Sequence, residues 1–208
     1  MLTLSTVVIF IATSIVLIIA PGPDILFVLT QGISNGKRAG VITALGLACG
    51  NLVHTTAAAL GITLLLKTSL IAFTVLKVFG VCYLAFLAYK AIKYRNEPIN
   101  INNKSVESGA KLFSKGFLMN VLNPKVALFF VAYLPQFITS GKISSSIQII
   151  FYGMLFTILV IPIFGAVGYF SGFIGNWLMA KKKFSYYMNL VSASVFMALG
   201  IKLALTKR

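Results

Sequence analysis

The chain of 208 residues is 59% hydrophobic and only 10% charged, with a mean hydropathy of +0.97, whereas charged residues approach about a quarter of a soluble domain. Its net charge of +15 invites a nucleic-acid reading, but the basic residues stand at the ends of hydrophobic runs, where they set topology and meet anionic lipid, so no nucleic-acid partner is expected. What remains is an all-α integral membrane protein, because the apolar runs are continuous rather than alternating and open-edged structure cannot face lipid.

Breaking the chain at its charged clusters and Gly/Ser/Asn turns predicts six transmembrane segments, at 4–33, 39–66, 69–92, 113–138, 145–178 and 185–205. The first lacks the basic flank of a signal peptide, and Pro21 follows the small-residue cleavage point at Ala20, so this segment is expected to be retained. It is interrupted by Pro21-Gly22-Pro23-Asp24. Proline removes a backbone hydrogen bond and collides with the preceding turn, and Gly22 loosens the chain further, so the helix is expected to break here. Asp24 then falls at the start of a second half-helix, where free amides and the positive dipole end favour a carboxylate. In lipid such a break is tolerable only where its backbone lines a cavity or is buried in protein.

In the second segment, GVITALGLACGNLVHTTAAALG, Gly46, Gly50 and His54 form an i+4 stripe that suits close helix packing. His54, the sole histidine, lies in a polar patch with Asn51, Thr55 and Thr56. Two readings stay open for it: a hydrogen-bonded packing residue or a proton relay. Cys49 and Cys82 lack Cys-x-x-Cys spacing and read as small buried hydrophobes rather than a disulfide or metal pair. The stretch YRNEPININNKSVESGAK, with Glu97 and Glu107, reads as a polar linker. In the fourth segment Asn123-Pro124-Lys125 repeats the first device: proline in mid-segment, a capping-type Asn before it and a charge after it. In the fifth, Gly165, Gly168, Gly172 and Gly175 suggest helix packing and Pro162 a kink. Tyr83, Tyr133 and Gln136 either line a polar path or sit at membrane interfaces.

Three segments precede the linker and three follow it, giving a first half at 1–93, a linker at 94–112 and a second half at 113–208. If the halves are repeats, their odd number of spans makes them inverted, with helices 1 and 4 broken at prolines in corresponding places. PDILFVL at 23–29 resembles PKVALFF at 124–130, although Pro23 lies further along its segment than Pro124 does, so the breaks are expected at different depths. Lys37, Arg38, the six basic residues from Lys90 to Lys115, and Lys181, Lys182 and Lys183 fall on one side, eleven against six on the other. The positive-inside rule then puts the 90–115 loop in the cytoplasm and both termini outside.

A charge at a helix centre costs about 2.5–3.5 kcal/mol on insertion scales, so Asp24 and Lys125 need a reason. Either they form a structural ion pair, or they mark a midplane site where Asp24 exchanges a proton or meets a substrate amine and Lys125 meets a carboxylate or releases Asp24. Paired broken helices in corresponding positions point to the second. Enzyme chemistry lacks its materials: there is one aspartate in the spans, one histidine, no Gly-x-Ser-x-Gly elbow and no nucleotide-binding glycine loop. No cofactor and no metal site are expected, and a transporter driven by an ion gradient is.

At these residues the chain resembles the LysE/RhtB family of amino-acid exporters. The resemblance covers nearly the whole sequence and rests on PGPD at 21–24, the stripe of Gly46, Gly50 and His54, LKVFGVCYLAFLAYKAIK at 76–93 and KGFLMNVLNPKVALFFVAYLPQFI at 115–138. Ala88 stands where the family typically carries a glycine. The resemblance implies a plasma-membrane location and export of small amino acids or their analogues coupled to the proton gradient. It also implies that Pro21, Gly22, Pro23, Asp24, Asn123, Pro124 and Lys125 form the functional core. The two breaks would face one cavity, half-helix amides toward the substrate carboxylate and Asp24 toward its amine or a proton, with one half rocking against the other. The competing expectations are a small-cation exporter of the same superfamily, which needs several convergent ligands, and a non-transporting membrane assembly protein. Small-residue stripes suit a homodimer interface and internal packing equally. An acid-poor path disfavours a strongly cationic substrate.

Overall fold

The computed structural model describes residues 3–68, 70–96, 107–139, 141, 143–180 and 183–205, with side-chain surroundings undescribed at 62–73, 76, 172, 174–180, 184, 185, 188 and 202. The chain runs through α1 (Leu4–Ile19), α2 (Pro23–Asn35), α3 (Lys37–Thr68), α4 (Leu70–Lys93), α5 (Gly109–Val121) and α6 (Pro124–Leu128). A π-turn (Phe129–Tyr133) and a 3-10 turn (Leu134–Phe137) follow, then α7 (Ser145–Ala180) and α8 (Phe184–Leu205). Most of the linker expected at 94–112, including Glu97 and Lys104, lies outside the described residues. So do Lys142, Lys181, Lys182, Lys207 and Arg208 of the charge count, and the surroundings of Lys67, Lys202, Gly172 and Gly175.

Local chemistry sets the ends of these helices. Thr3 Oγ1 accepts from Thr6 N (3.3 Å) to start α1, and Ser108 Oγ accepts from Lys111 N (3.4 Å) to start α5. Gly36, at φ 86°, takes the left-handed turn between α2 and α3 that a side chain would resist. By length and apolarity, Lys37–Gly61 and Ser145–Ser171 are candidate spans on their own. Two bent pairs, Leu4–Ile19 with Pro23–Asn35 (55°) and Gly109–Val121 with Pro124–Phe137 (46°), raise the number to four if each counts as one span. The expected third and sixth segments form helices α4 and α8, without reaching that length and apolarity among the described residues.

The long helix α3 is the centre of the packing, held between α7 and α5, while α2 lies against both α7 and α3. Small residues make this possible. A Cβ on Gly40 would stand 2.5 Å from the Gly168 carbonyl oxygen, one on Gly116 2.5 Å from the Thr43 carbonyl oxygen, and one on Gly50 2.6 Å from Asn120 Oδ1. One on Gly46 would run into the Phe113 carbonyl, so both stripe glycines of α3 are packing positions facing α5. Gly165 is not: nothing lies within 4 Å of its would-be Cβ, so its place on the expected stripe is corrected, since it sits off the face that meets α3. Helix α7 continues through Pro162. Cys82 is exposed and Cys49 half-buried, correcting the reading of both as buried; the outer face of a bundle in lipid is as apolar as its core.

Helices α4 and α8 pack chiefly on each other and meet the rest mainly where α4 touches the π-turn and α3. An aromatic cluster joins the start of the chain to this turn: Phe10 packs on Phe129, Phe137 and Tyr152, and Phe129 on Phe156 (ring centroids 4.7 Å).

Candidate functional site

The two helix breaks meet, and each supplies groups that close the other. At the first, α1 ends at Ile19 and α2 begins at Pro23, leaving carbonyls that no helix satisfies. Lys125 Nζ donates to the Ala20 carbonyl (2.7 Å) and Ser192 Oγ of α8 to the Pro21 carbonyl (3.2 Å). Lys125 passes close over Gly22, where a Cβ would sit 3.3 Å from Lys125 Cδ. At the second break Pro124 takes the first helical position, where its missing N–H costs nothing, and Asn123 Oδ1 accepts from Lys125 N (2.9 Å). His54 Nε2 donates to the Asn120 carbonyl at the end of α5 (3.0 Å), and its ring stacks on Phe130.

Asp24, 5% exposed, and Lys125, 9% exposed, are both buried at the junction. Asp24 stands in the first turn of α2 without capping it. Its Oδ2 accepts from Asn120 Nδ2 (2.9 Å), and Asn123 neighbours the same carboxyl group. The ammonium of Lys125 turns instead to the Ala20 carbonyl and lies 5.5 Å from the centre of the Phe196 ring. The direct ion pair weighed from the sequence does not form, because the freed carbonyl of the first break takes the ammonium. Among the described residues the ion pairs are those of Glu107 with Lys115 (2.5 Å) and Lys111 (3.3 Å). At Glu107, outside the helices, Lys115 before Lys111 holds the carboxyl below its ordinary range.

A cavity lies between the breaks, its polar wall made by Asp24, Asn51, Asn120, Asn123 and Lys125 and the remainder by Leu17, Ile18, Val126, Phe156, Val160 and Phe164. Among the described residues, Asp24 Oδ1, Asn120 Oδ1, Asn123 Nδ2 and both polar side-chain atoms of Asn51 are buried without a hydrogen-bond partner. Unpaired buried polar atoms each cost about 1–3 kcal/mol, so five around one cavity mark a place built to receive hydrogen-bonding groups. A second, apolar cavity lies on the other side of Lys125. Each has room for the centre of a water over ≈ 20 Å³, near the size that one water needs.

The structure thus brings together Pro21, Gly22, Pro23, Asp24, Asn51, Asn123, Pro124 and Lys125, with His54 behind Asn120 and Gly50 beneath it. Asn120, Ser192 and Phe196 were missed. Asn120 carried a signal, an amide in the apolar run GFLMNVLNP three residues before Asn123; Ser192 and Phe196 carried none, since their role depends on where α8 lies.

Broken apolar helices meeting around a buried carboxylate and ammonium define a helical membrane translocator. The chain belongs to the LysE type translocator family, which it matches over residues 15–207. It is similar to the uncharacterised membrane protein YrhP of Bacillus subtilis (strain 168), with 30% identity over 207 residues covering 95% of this chain and 97% of the relative. It is also similar to a leucine efflux protein of Klebsiella pneumoniae subsp. pneumoniae, with 24% identity over 196 residues covering 94% and 92% of the two. No solved structure matches the chain.

Proposed function

We propose that this protein exports amino acids from the cytoplasm across the plasma membrane in exchange for protons, with Asp24 and Lys125 in the polar cavity as the groups that handle both. The observation that carries this reading is the ring of unpartnered polar atoms around a buried carboxylate and ammonium. A zwitterion fits its chemistry. The substrate ammonium meets Asp24 Oδ1 and the amide oxygens of Asn51 and Asn120, while its carboxylate meets Lys125 and the Asn51 amide nitrogen. The similarity to a leucine efflux protein supports an amino-acid cargo.

Exchange follows from competition for one carboxylate. Ionised Asp24 binds the substrate ammonium on the cytoplasmic side. After substrate leaves outward, a proton takes its place on the carboxyl and is released inward on return. The two loads drive the cycle only because charged and neutral Asp24 favour different states. Two inverted halves, 1–93 and 113–208, with the 90–115 loop cytoplasmic and both termini outside, place the breaks in corresponding positions. In support, Pro23 and Pro124 each open the helix after a break, and α3 packs on α7 as α4 packs on α8.

The test is efflux from cells preloaded by dipeptide feeding, comparing wild type, Asp24→Asn and an empty vector at two external pH values. Wild type is expected to release a narrow set of amino acids, faster at the lower external pH, and Asp24→Asn, inserted to the same level, to lose that release. Wild-type efflux equal to the empty vector for every amino acid overturns the reading.

A further inference from the structure

Lys125 is a wall shared by two cavities, one with Asp24, Asn51, Asn120 and Asn123 in its lining and one with none of these, and the reading just given uses only the first. The other is enclosed by Leu17, Gly80, Leu84, Ala132, Leu199 and Leu203 beside the faces of Phe129 and Tyr133. Leu17 lines both. An α-amino acid carries its ammonium and carboxylate on one side of Cα and its side chain on another. With Cα beside Lys125, the charged groups enter the polar cavity and the side chain faces the apolar one.

We infer that this apolar cavity receives the side chain of the exported substrate and that the substrate is an uncharged aliphatic amino acid, an assignment that rests on the amino-acid exporter reading. A hydroxyl or amide placed there gives up water for walls of leucine and alanine. A cationic side chain would in addition face Lys125, and an anionic one would compete with the substrate's own carboxylate for it.

The walls also set size. Gly80 of α4 leaves its wall bare: a Cβ there would lie 2.7 Å from that of Ala132 and 3.0 Å from Leu203 Cδ2. Leu84 and Leu199 close the cavity from α4 and α8, the two helices that pack on each other and touch the remainder least. Widening of this small cavity to admit a side chain is thus a displacement of that pair. A single methylene in an apolar pocket discriminates by about tenfold or more, so Leu84 and Leu199 determine specificity.

The experiment uses the full chain in cells preloaded through dipeptides with leucine, valine, phenylalanine, threonine or lysine, and reads ratios of efflux within each variant, which cancel differences in protein amount. Wild type is expected to release leucine at least about tenfold faster than threonine or lysine. Leu84→Phe raises the valine-to-leucine ratio and Leu199→Ala the phenylalanine-to-leucine ratio, and either shift alone suffices if the other variant does not insert. Threonine or lysine leaving faster than leucine, or unchanged ratios in every variant that still exports, overturns this assignment and leaves the exporter standing. Wild-type release equal to that of an empty vector for all five removes the exporter, and this inference with it.

Discussion

Lys125 closes one helix break from the other: its backbone N–H is held by Asn123 and its ammonium by Ala20. The carboxylate of Asp24 is then left to an amide, and Asn120 supplies it while its own carbonyl receives His54. Asn120→Ala removes the Asn120 Nδ2 donor from Asp24 Oδ2, and a charge-bearing hydrogen bond lost in a buried setting costs about 1–3 kcal/mol. The loss should be smaller when Asp24 is already leucine, because no carboxylate is left wanting a donor. Thermal melting of the four proteins of this double-mutant cycle in detergent measures the coupling, and strictly additive effects would show that the bond contributes nothing. The sequence made Asp24 and Lys125 legible, since a charge beside a proline in an apolar run has few structural excuses. It did not reveal that they avoid each other. Which of two acceptors an ammonium chooses depends on a carbonyl 105 positions away in the chain.

The segment pattern translated well into helices because apolar runs and polar interruptions are local properties, and both proline breaks lie where proline and glycine chemistry demands them. Two features of the helices were not legible. The fourth segment passes from α-helix to a π-turn and a 3-10 turn within 124–137, where Phe129 and Phe130 pack on Phe156 and Tyr133 packs on Phe129 and Phe137. The facing of α7 was also hidden, which is why Gly165 and Gly168 looked alike. They should respond in opposite ways. A methyl group on Gly168 meets the Gly40 carbonyl carbon at 2.5 Å, and backbone cannot swing aside, so Gly168→Ala is expected to cost about 1–3 kcal/mol or more. Gly165→Ala meets nothing and gains about 0.5–1 kcal/mol of helix preference. Melting temperatures of the two variants decide it: equal shifts would mean that α3 and α7 do not touch at Gly40.

Alternating access in the proposed exporter asks which parts of the molecule move, and packing divides them. Helices α2, α3, α5 and α7 hold one another through glycine contacts that permit little sliding, whereas α4 and α8 hold each other and reach the site by Gly80, Ser192 and Phe196. The aromatic cluster of Phe10, Phe129, Tyr152 and Phe156 lies over both cavities where α1 and the π-turn meet. Opening the site is therefore expected to carry the α4 and α8 pair away from the π-turn while the contact of α3 with α7 stays closed. Paired cysteines test this once Cys49 and Cys82 have been replaced by alanine. At Gly80 and Ala132 the Cβ positions stand 2.7 Å apart, and at Gly153 and Thr55 2.9 Å apart; both pairs reach the separation of about 3.5–4.5 Å that a disulfide takes with a shift near 1 Å. The 80–132 bond joins the moving pair to the turn, so oxidation should stop export and reductant restore it in the same cells. The 55–153 bond lies within the fixed group and should leave export the same before and after oxidation. If the 55–153 bond stops export and the 80–132 bond does not, α3 and α7 are the helices that part, and the closed glycine contact is the gate rather than the frame.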